Sequence, residues 1–219
     1  MNNSPIQFSS DAPRLSVVIP VYNEEDGLNA LFDRLYPALD QITSQFALSY
    51  EIVFVNDGSK DRSAAILAMQ YEKRPDVTRV VLFANNFGQH MAIMAGFEYA
   101  RGEYVITLDA DLQNPPEEIR KIVRQLEEGH DYVGTIRENR QDSWFRKSAS
   151  RAMNHLRDKM TRITMTDQGC MMRGYHRRIV HLVSQCEEAN TFIPALAYTF
   201  ANKPIEISVK HEERFAGES

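Results

Sequence analysis

An α/β fold with a mostly parallel, doubly wound sheet and helices on both faces is what this sequence predicts, and three observations predict it. Short apolar runs rich in β-forming residues alternate with segments of helical period, the pattern of parallel strands joined by crossover helices. Acidic turn residues recur directly after those runs, at what becomes one edge of the sheet. The chain has 219 residues, 43% of them hydrophobic and 25% charged, which suits one large globular domain and is short for two.

Each element follows in order. Leu15 to Pro20 is an apolar run ending in proline and reads as a first, central strand. Leu28, Leu31, Phe32, Leu35, Leu39 and Ile42, spaced by threes and fours, predict an amphipathic helix. Tyr50 to Val55 and Val80 to Phe83 read as the second and third strands, and a helix passes through Met91, Met94, Ala95 and Tyr99. Tyr104 to Leu108 is a buried fourth strand. Asn114 is expected to cap the next helix, with Pro115 at its first position and Glu117 in capping-box register; that helix buries Ile119, Ile122, Val123 and Leu126 and stops before Gly129. Asp131 to Ile136 is a fifth strand. Helices are expected near 143–160, 176–184 and 192–201, before a late strand at Ile205 to Val209. Residues 1–14 read as a polar, mobile leader, and 15–219 as a single domain.

Composition excludes several classes. Cys170 and Cys186 form no CxxC and no Cys/His cluster, which argues against a disulfide framework or a zinc site and for a reducing compartment. The first twelve residues lack the apolar core of a signal peptide, and no apolar run reaches the length of a membrane span, so the chain reads as soluble. Net charge is −5, yet the stretch from Arg137 to Arg162 carries eight Lys and Arg against Glu138, Asp142 and Asp158. A basic segment within an acidic chain suits an anionic partner met locally, a phosphate or a membrane surface, and not nucleic acid along a whole face.

The chemistry concentrates in the sequence from Thr107 to Glu117. Side chains alternate along extended backbone, so Asp109, Asp111 and Gln113 are expected to point one way and offer two carboxylates and an amide oxygen to a hard cation, Mg²⁺ or Mn²⁺. There is no GxGxxG after the first strand and no Walker A loop. Instead Glu24 and Asp57 are suited to accept from a uracil imide or ribose hydroxyls, and Tyr22 to stack on the base, with a metal at Asp111 holding the diphosphate. A non-catalytic nucleotide-sugar-binding module would keep these turns, although it needs no basic segment. A nucleotidyltransferase would carry a Gly-rich, basic first loop in place of Tyr22-Asn23-Glu24-Glu25.

Five motifs carry a resemblance: Val18 to Glu25 (VIPVYNEE), Val55 to Ser59 (VNDGS), Asn86 to His90 (NFGQH), Asp109 to Glu117 (DADLQNPPE) and Glu213 to Ser219 (ERFAGES). Together they resemble the family 2, GT-A fold glycosyltransferases that act on polyprenyl phosphates, from Leu15 to the last residue. The stretch Arg137 to Lys147 and the run Gly169 to Arg173 resemble the bacterial branch that moves 4-deoxy-4-formamido-L-arabinose from UDP to undecaprenyl phosphate in lipid A modification and polymyxin resistance. Branches that carry glucose or another hexose to bactoprenol or dolichol phosphate share the same frame. The resemblance implies a Rossmann-like GT-A fold and a metal-dependent, inverting transferase with a UDP-sugar donor and a polyprenyl phosphate acceptor. It implies work at the cytoplasmic face of the inner membrane, with homo-oligomerisation left open. Pro20, Tyr22, Glu24 and Asp57 would bind the nucleotide, Asp109 would contact the donor, Asp111 and Gln113 would hold the metal, and Arg214 the diphosphate. Arg137, Arg146 and Ser150 match positions that hold the acceptor phosphate, and Asp167 a carboxylate sometimes given a base role. Such proteins continue past the Gly-x-Ser motif with a lysine and then membrane helices, so further chain is expected beyond Ser219.

Overall fold

The computed structural model describes residues 12–138, 166–167, 169–186 and 192–215. Among these, seven strands form one sheet: β1 (Leu15–Val21), β2 (Tyr50–Asn56), β3 (Thr78–Leu82), β4 (Tyr104–Thr107), β5 (Tyr132–Arg137), β6 (Arg173–His176) and β7 (Pro204–Val209). Their order is β3-β2-β1-β4-β6-β5-β7. β6 runs antiparallel to both its neighbours, and every other pairing is parallel. The helices are α1 (Leu28–Phe46), α2 (Ser63–Lys73), α3 (Gln89–Tyr99), α4 (Ile119–Glu127), α5 (Arg177–Ser184) and α6 (Ile193–Phe200).

Alternation along β1 builds two cores. Leu15, Val17, Ile19 and Val21 pack with Leu28, Leu31, Leu35 and Leu39 of α1 and Ile119, Ile122 and Leu126 of α4 on one face. Val18 joins Val53, Val55 and Val105 in packing against Ala92, Ile93 and Phe97 of α3 and Ile179 and Val183 of α5 on the other. A sheet covered on both faces by crossover helices is the doubly wound arrangement. The six α1 positions that mark the predicted helix are all buried.

Three local expectations differ from the structure. The helix before Gly129 begins with a 3₁₀ turn, Pro116–Glu118, whose N-cap is Pro115 with no side-chain cap. The Asn114 side chain is used elsewhere: buried, its Oδ1 accepts from the Cys170 thiol at 3.4 Å. Helix α2 and the antiparallel strand β6 were not foreseen individually. α2 buries only Ser63, Leu67 and Gln70, and β6 reads Arg-Gly-Tyr-His, so neither has the apolar period that betrays an element. The helix expected over 143–160 lies outside the described residues.

Candidate functional site

Strands β1, β2 and β4 end together at one edge of the sheet, and the loops that leave them meet there. The first two are stitched to each other. Asn23, at a positive φ of 53°, donates its N–H to the Ser59 hydroxyl and accepts from the Lys60 N–H; the Glu24 N–H donates to Ser63, and the Glu25 N–H to Asp61. Tyr22, just before this stitched turn, is 42% exposed. Gly58 also has a positive φ, and a Cβ there would stand 2.3 Å from the Asn85 carbonyl carbon; only glycine lets the β2 loop lie against the chain that follows β3. Buried Asp57 completes that joint. Its two carboxylate oxygens accept from the Phe87 and Gly88 N–H groups at 2.7 and 2.9 Å.

The result is a cavity of about 450 Å³ lined by Pro20, Tyr22, Glu24 and Asp57 from the first two loops, Asn86, Gly88 and Gln89 from the third, and Asp109 and Asp111 beyond β4, with Gly169, Met171 and Arg214 closing it. All six nucleotide, donor and diphosphate residues read from sequence, Arg214 among them, line this one cavity together with Asp111. Gln113 does not line it. Leu112 takes a left-handed conformation, φ 62°, which ends the extended alternation; the Gln113 N–H turns back to Asp111 Oδ1 at 3.1 Å, and its carbonyl accepts from Glu212. The expectation that the three side chains point one way therefore holds for the two carboxylates only.

Arg214 arrives on a strap, residues 210–215, laid across the acidic loop. The strap is fastened by Lys210 N–H to Glu118, by Glu212 N–H to the Gln113 carbonyl, and by Arg34, whose guanidinium reaches both Glu212 and Glu117. Arg214 pairs with Glu24 Oε1. The electrostatics are dominated by acid: Glu24, Asp57, Asp109 and Asp111 line the cavity against Arg214. Burial pushes the Asp109 carboxyl up to about 7; the Asp111 charge adds to this, while the Gln89 hydrogen bond acts against it. Glu24 is raised by burial, opposed by Arg214 and reinforced by Asp111 and Asp61.

On the far side of β4, Arg137 and Asp167 form a fork. Arg137 Nε donates to Asp167 Oδ2 at 2.8 Å and its terminal nitrogen to Oδ1 at 3.1 Å, while the Gly169 N–H donates to Oδ1 at 3.1 Å. Asp167 is fully buried and its carboxyl is held below the usual carboxylate range; burial opposes this, and the Arg137 hydrogen bond and charge outweigh it. Beneath lies Arg173, fully buried, which donates to the Tyr132 hydroxyl at 2.6 Å and to the Asp167 carbonyl at 2.7 Å. A carboxylate so engaged is a poor proton acceptor. Arg146 and Ser150 lie outside the described residues. The sequence reading missed Gln89, whose Nε2 donates to Asp109 Oδ1 at 2.7 Å, although its motif follows a strand end as the acidic turns do.

Comparison with known proteins gives this geometry a context. Residues 16–183 match the description "Glycosyl transferase family 2". Over 206 residues the chain is 52% identical to the undecaprenyl-phosphate 4-deoxy-4-formamido-L-arabinose transferase of Serratia proteamaculans, a match covering 94% of this chain and 62% of that protein. The enzyme of the same name from Aeromonas hydrophila is 49% identical over all 219 residues, covering 64% of its length. The chain thus spans a little under two thirds of the curated relatives it matches. Among solved structures, glucosyl-3-phosphoglycerate synthase from Mycobacterium tuberculosis, in complex with Mn²⁺, UDP and phosphoglyceric acid, superposes with a TM-score of 0.64 at 21% identity, over 92% of this chain and 72% of that one. At that identity the likeness shows the fold, a GT-A-like α/β sheet.

Proposed function

The chain belongs to glycosyl transferase family 2, and from that premise we propose that it carries out inverting transfer of 4-deoxy-4-formamido-L-arabinose from a UDP donor to undecaprenyl phosphate. The observation that carries the reading is the single cavity where the β1 and β2 loops, the two aspartates and Arg214 converge. The half-identical relatives named for this transfer support the choice of sugar and lipid.

In this reading Tyr22 stacks on the uracil, and Pro20, Glu24 and Asp57 hold the nucleoside, Asp57 through acceptor capacity left after bonding Phe87 and Gly88. Asp109 contacts the donor and Arg214 takes a diphosphate oxygen. A divalent cation fits the donor set: four acids and one arginine line the cavity, a surplus of negative charge that an anionic diphosphate cannot enter uncompensated. Such an ion would be held by one or two carboxylates together with the substrate phosphates, the usual arrangement for Mg²⁺ beside a diphosphate. Asp111 would hold Mg²⁺ or Mn²⁺, with Gln113 at the loop behind it, and the ion would supply positive charge to the departing UDP.

The acceptor phosphate needs positioning more than deprotonation, since a phosphate monoester with a second pKa of about 6 is already largely dianionic near neutral pH. Arg137, together with Arg146 and Ser150, would hold it in line with the anomeric carbon; a phosphate oxygen bonds to that carbon as its bond to UDP breaks, and UDP leaves with the electron pair. Asp167 acts by orienting the Arg137 fork. The lipid tail of the acceptor puts the reaction at the membrane surface, on the cytoplasmic face of the bacterial inner membrane. No helix among the described residues is long and apolar enough to cross a membrane.

Calorimetry with UDP tests the donor half. UDP is expected to bind at least tenfold more tightly with Mn²⁺ than with EDTA, a difference of about 1.4 kcal/mol. Equal affinity in the two buffers overturns the cation assignment, and no binding in either overturns the donor reading.

A further inference from the structure

We propose that Gln89 anchors the sugar of the donor and fixes Asp109 beside it, a specificity-determining role that rests on the donor reading above. Its place is built from three sides. Asp57 pins the Phe87 and Gly88 N–H groups, Gly88 at a φ of 92° turns the chain, and Gln89 is the first residue of α3. The side chain is exposed, lines the cavity, and gives one N–H to Asp109 Oδ1 at 2.7 Å.

The chemistry then narrows what Gln89 reads. A primary amide has two N–H groups and an oxygen; with one N–H spent on Asp109, a second N–H and Oε1 are left for a ligand. A carboxylate fixed beside a carboxamide repels phosphate oxygens. The same pair offers acceptors and a donor to neutral polar groups, the set that reads sugar hydroxyls or a formamide, whose own N–H and C=O complement those of Gln89. In the sheet Asp109 follows β4, one strand further from β2 than the Tyr22 loop, and Gln89, which arrives from the loop after β3, reaches across the cavity to it. A helix start held by backbone bonds also gives the amide a rigid base, which discrimination between similar sugars requires.

Titration of UDP and of UDP-4-deoxy-4-formamido-L-arabinose, each with excess Mn²⁺, into the wild type, Gln89→Leu and Gln89→Glu tests the role. Because Gln89 is exposed, the variants should fold. UDP affinity is expected to stay within about twofold of wild type in Gln89→Leu, while the UDP-sugar weakens about tenfold, the usual scale for one lost hydrogen bond to a substrate. Gln89→Glu, which adds a charge against Asp109, should lose at least as much for the sugar. In transfer assays kcat/KM for the donor should fall with the acceptor KM unchanged. Wild-type affinity for the UDP-sugar in Gln89→Leu overturns the proposal, as does an equal loss for UDP and UDP-sugar, which would make Gln89 a brace of the loop only. A wild type that binds no UDP overturns the donor reading, and the sugar anchor with it.

Discussion

Asp111→Asn is expected to lower sugar transfer by about 10³-fold while leaving the fold intact, the scale on which removing electrostatic stabilisation of a leaving group acts. The two halves of that expectation come from different atoms. The fold half rests on Asp111 Oδ1, which accepts the Gln113 N–H to close the turn after left-handed Leu112; an asparagine oxygen makes the same bond. The activity half rests on charge. Asp111 is one of two acids beyond β4 in the cavity, and replacing it with a neutral amide removes the ligand that would bring a cation to the diphosphate. Initial rates and a thermal melt read both. Transfer within tenfold of wild type would contradict the role given to Asp111.

The second large effect runs the other way in stability. Asp109 has a folded pKa of about 7, raised from an ordinary value of 3.8 by burial and by Asp111. A raised carboxyl adds stability only while it is protonated. That contribution is present below about pH 4 and is lost as pH rises through about 7; above that the folded protein holds a charge it disfavours. In EDTA at pH 8, Asp109→Asn is therefore expected to be more stable than wild type by about 1–3 kcal/mol, below the ceiling that a three-unit shift at 1.36 kcal/mol per unit would allow. For a domain of this size that is a rise of about 2–12 °C in melting temperature. The gap should shrink as pH falls and close only near pH 4, and transfer by the variant should be lost throughout. A wild type that melts above Asp109→Asn at pH 8 would contradict the strained-carboxylate account. A residue that costs stability in the empty site fits the donor contact proposed for Asp109.

Much of this was legible in the residues. Six α1 positions declared their helix because a 3.6-residue period leaves one face apolar, and strands β1, β2 and β4 declared themselves by runs that a sheet covered on both sides must bury. The acidic turns could be placed at one edge because parallel strands all end on the same side. Where prediction failed, the local pattern was not the deciding force. β6 carries a fully buried arginine, whose terminal nitrogens donate to the distant Tyr132 hydroxyl and to the Asp167 carbonyl six residues earlier, so no hydrophobic signal marks it. Asn114 has the sequence of a helix cap and is claimed instead by a thiol 56 residues away. Alternation put Gln113 on the same side as the two carboxylates, and a single left-handed residue, Leu112, ends that alternation before it. The Arg137 and Asp167 fork joins residues 30 apart, and nothing local announces it.

The central claim is transfer, and one assay reads it directly: the protein with UDP-4-deoxy-4-formamido-L-arabinose, undecaprenyl phosphate and Mn²⁺ in detergent micelles, with the lipid product isolated and its anomeric configuration determined. The account predicts a lipid-linked sugar of inverted configuration, one UDP released per sugar moved, and little product when UDP-glucose replaces the donor. A protein that binds the UDP-sugar yet forms no lipid-linked product, or a product with retained configuration, would contradict it.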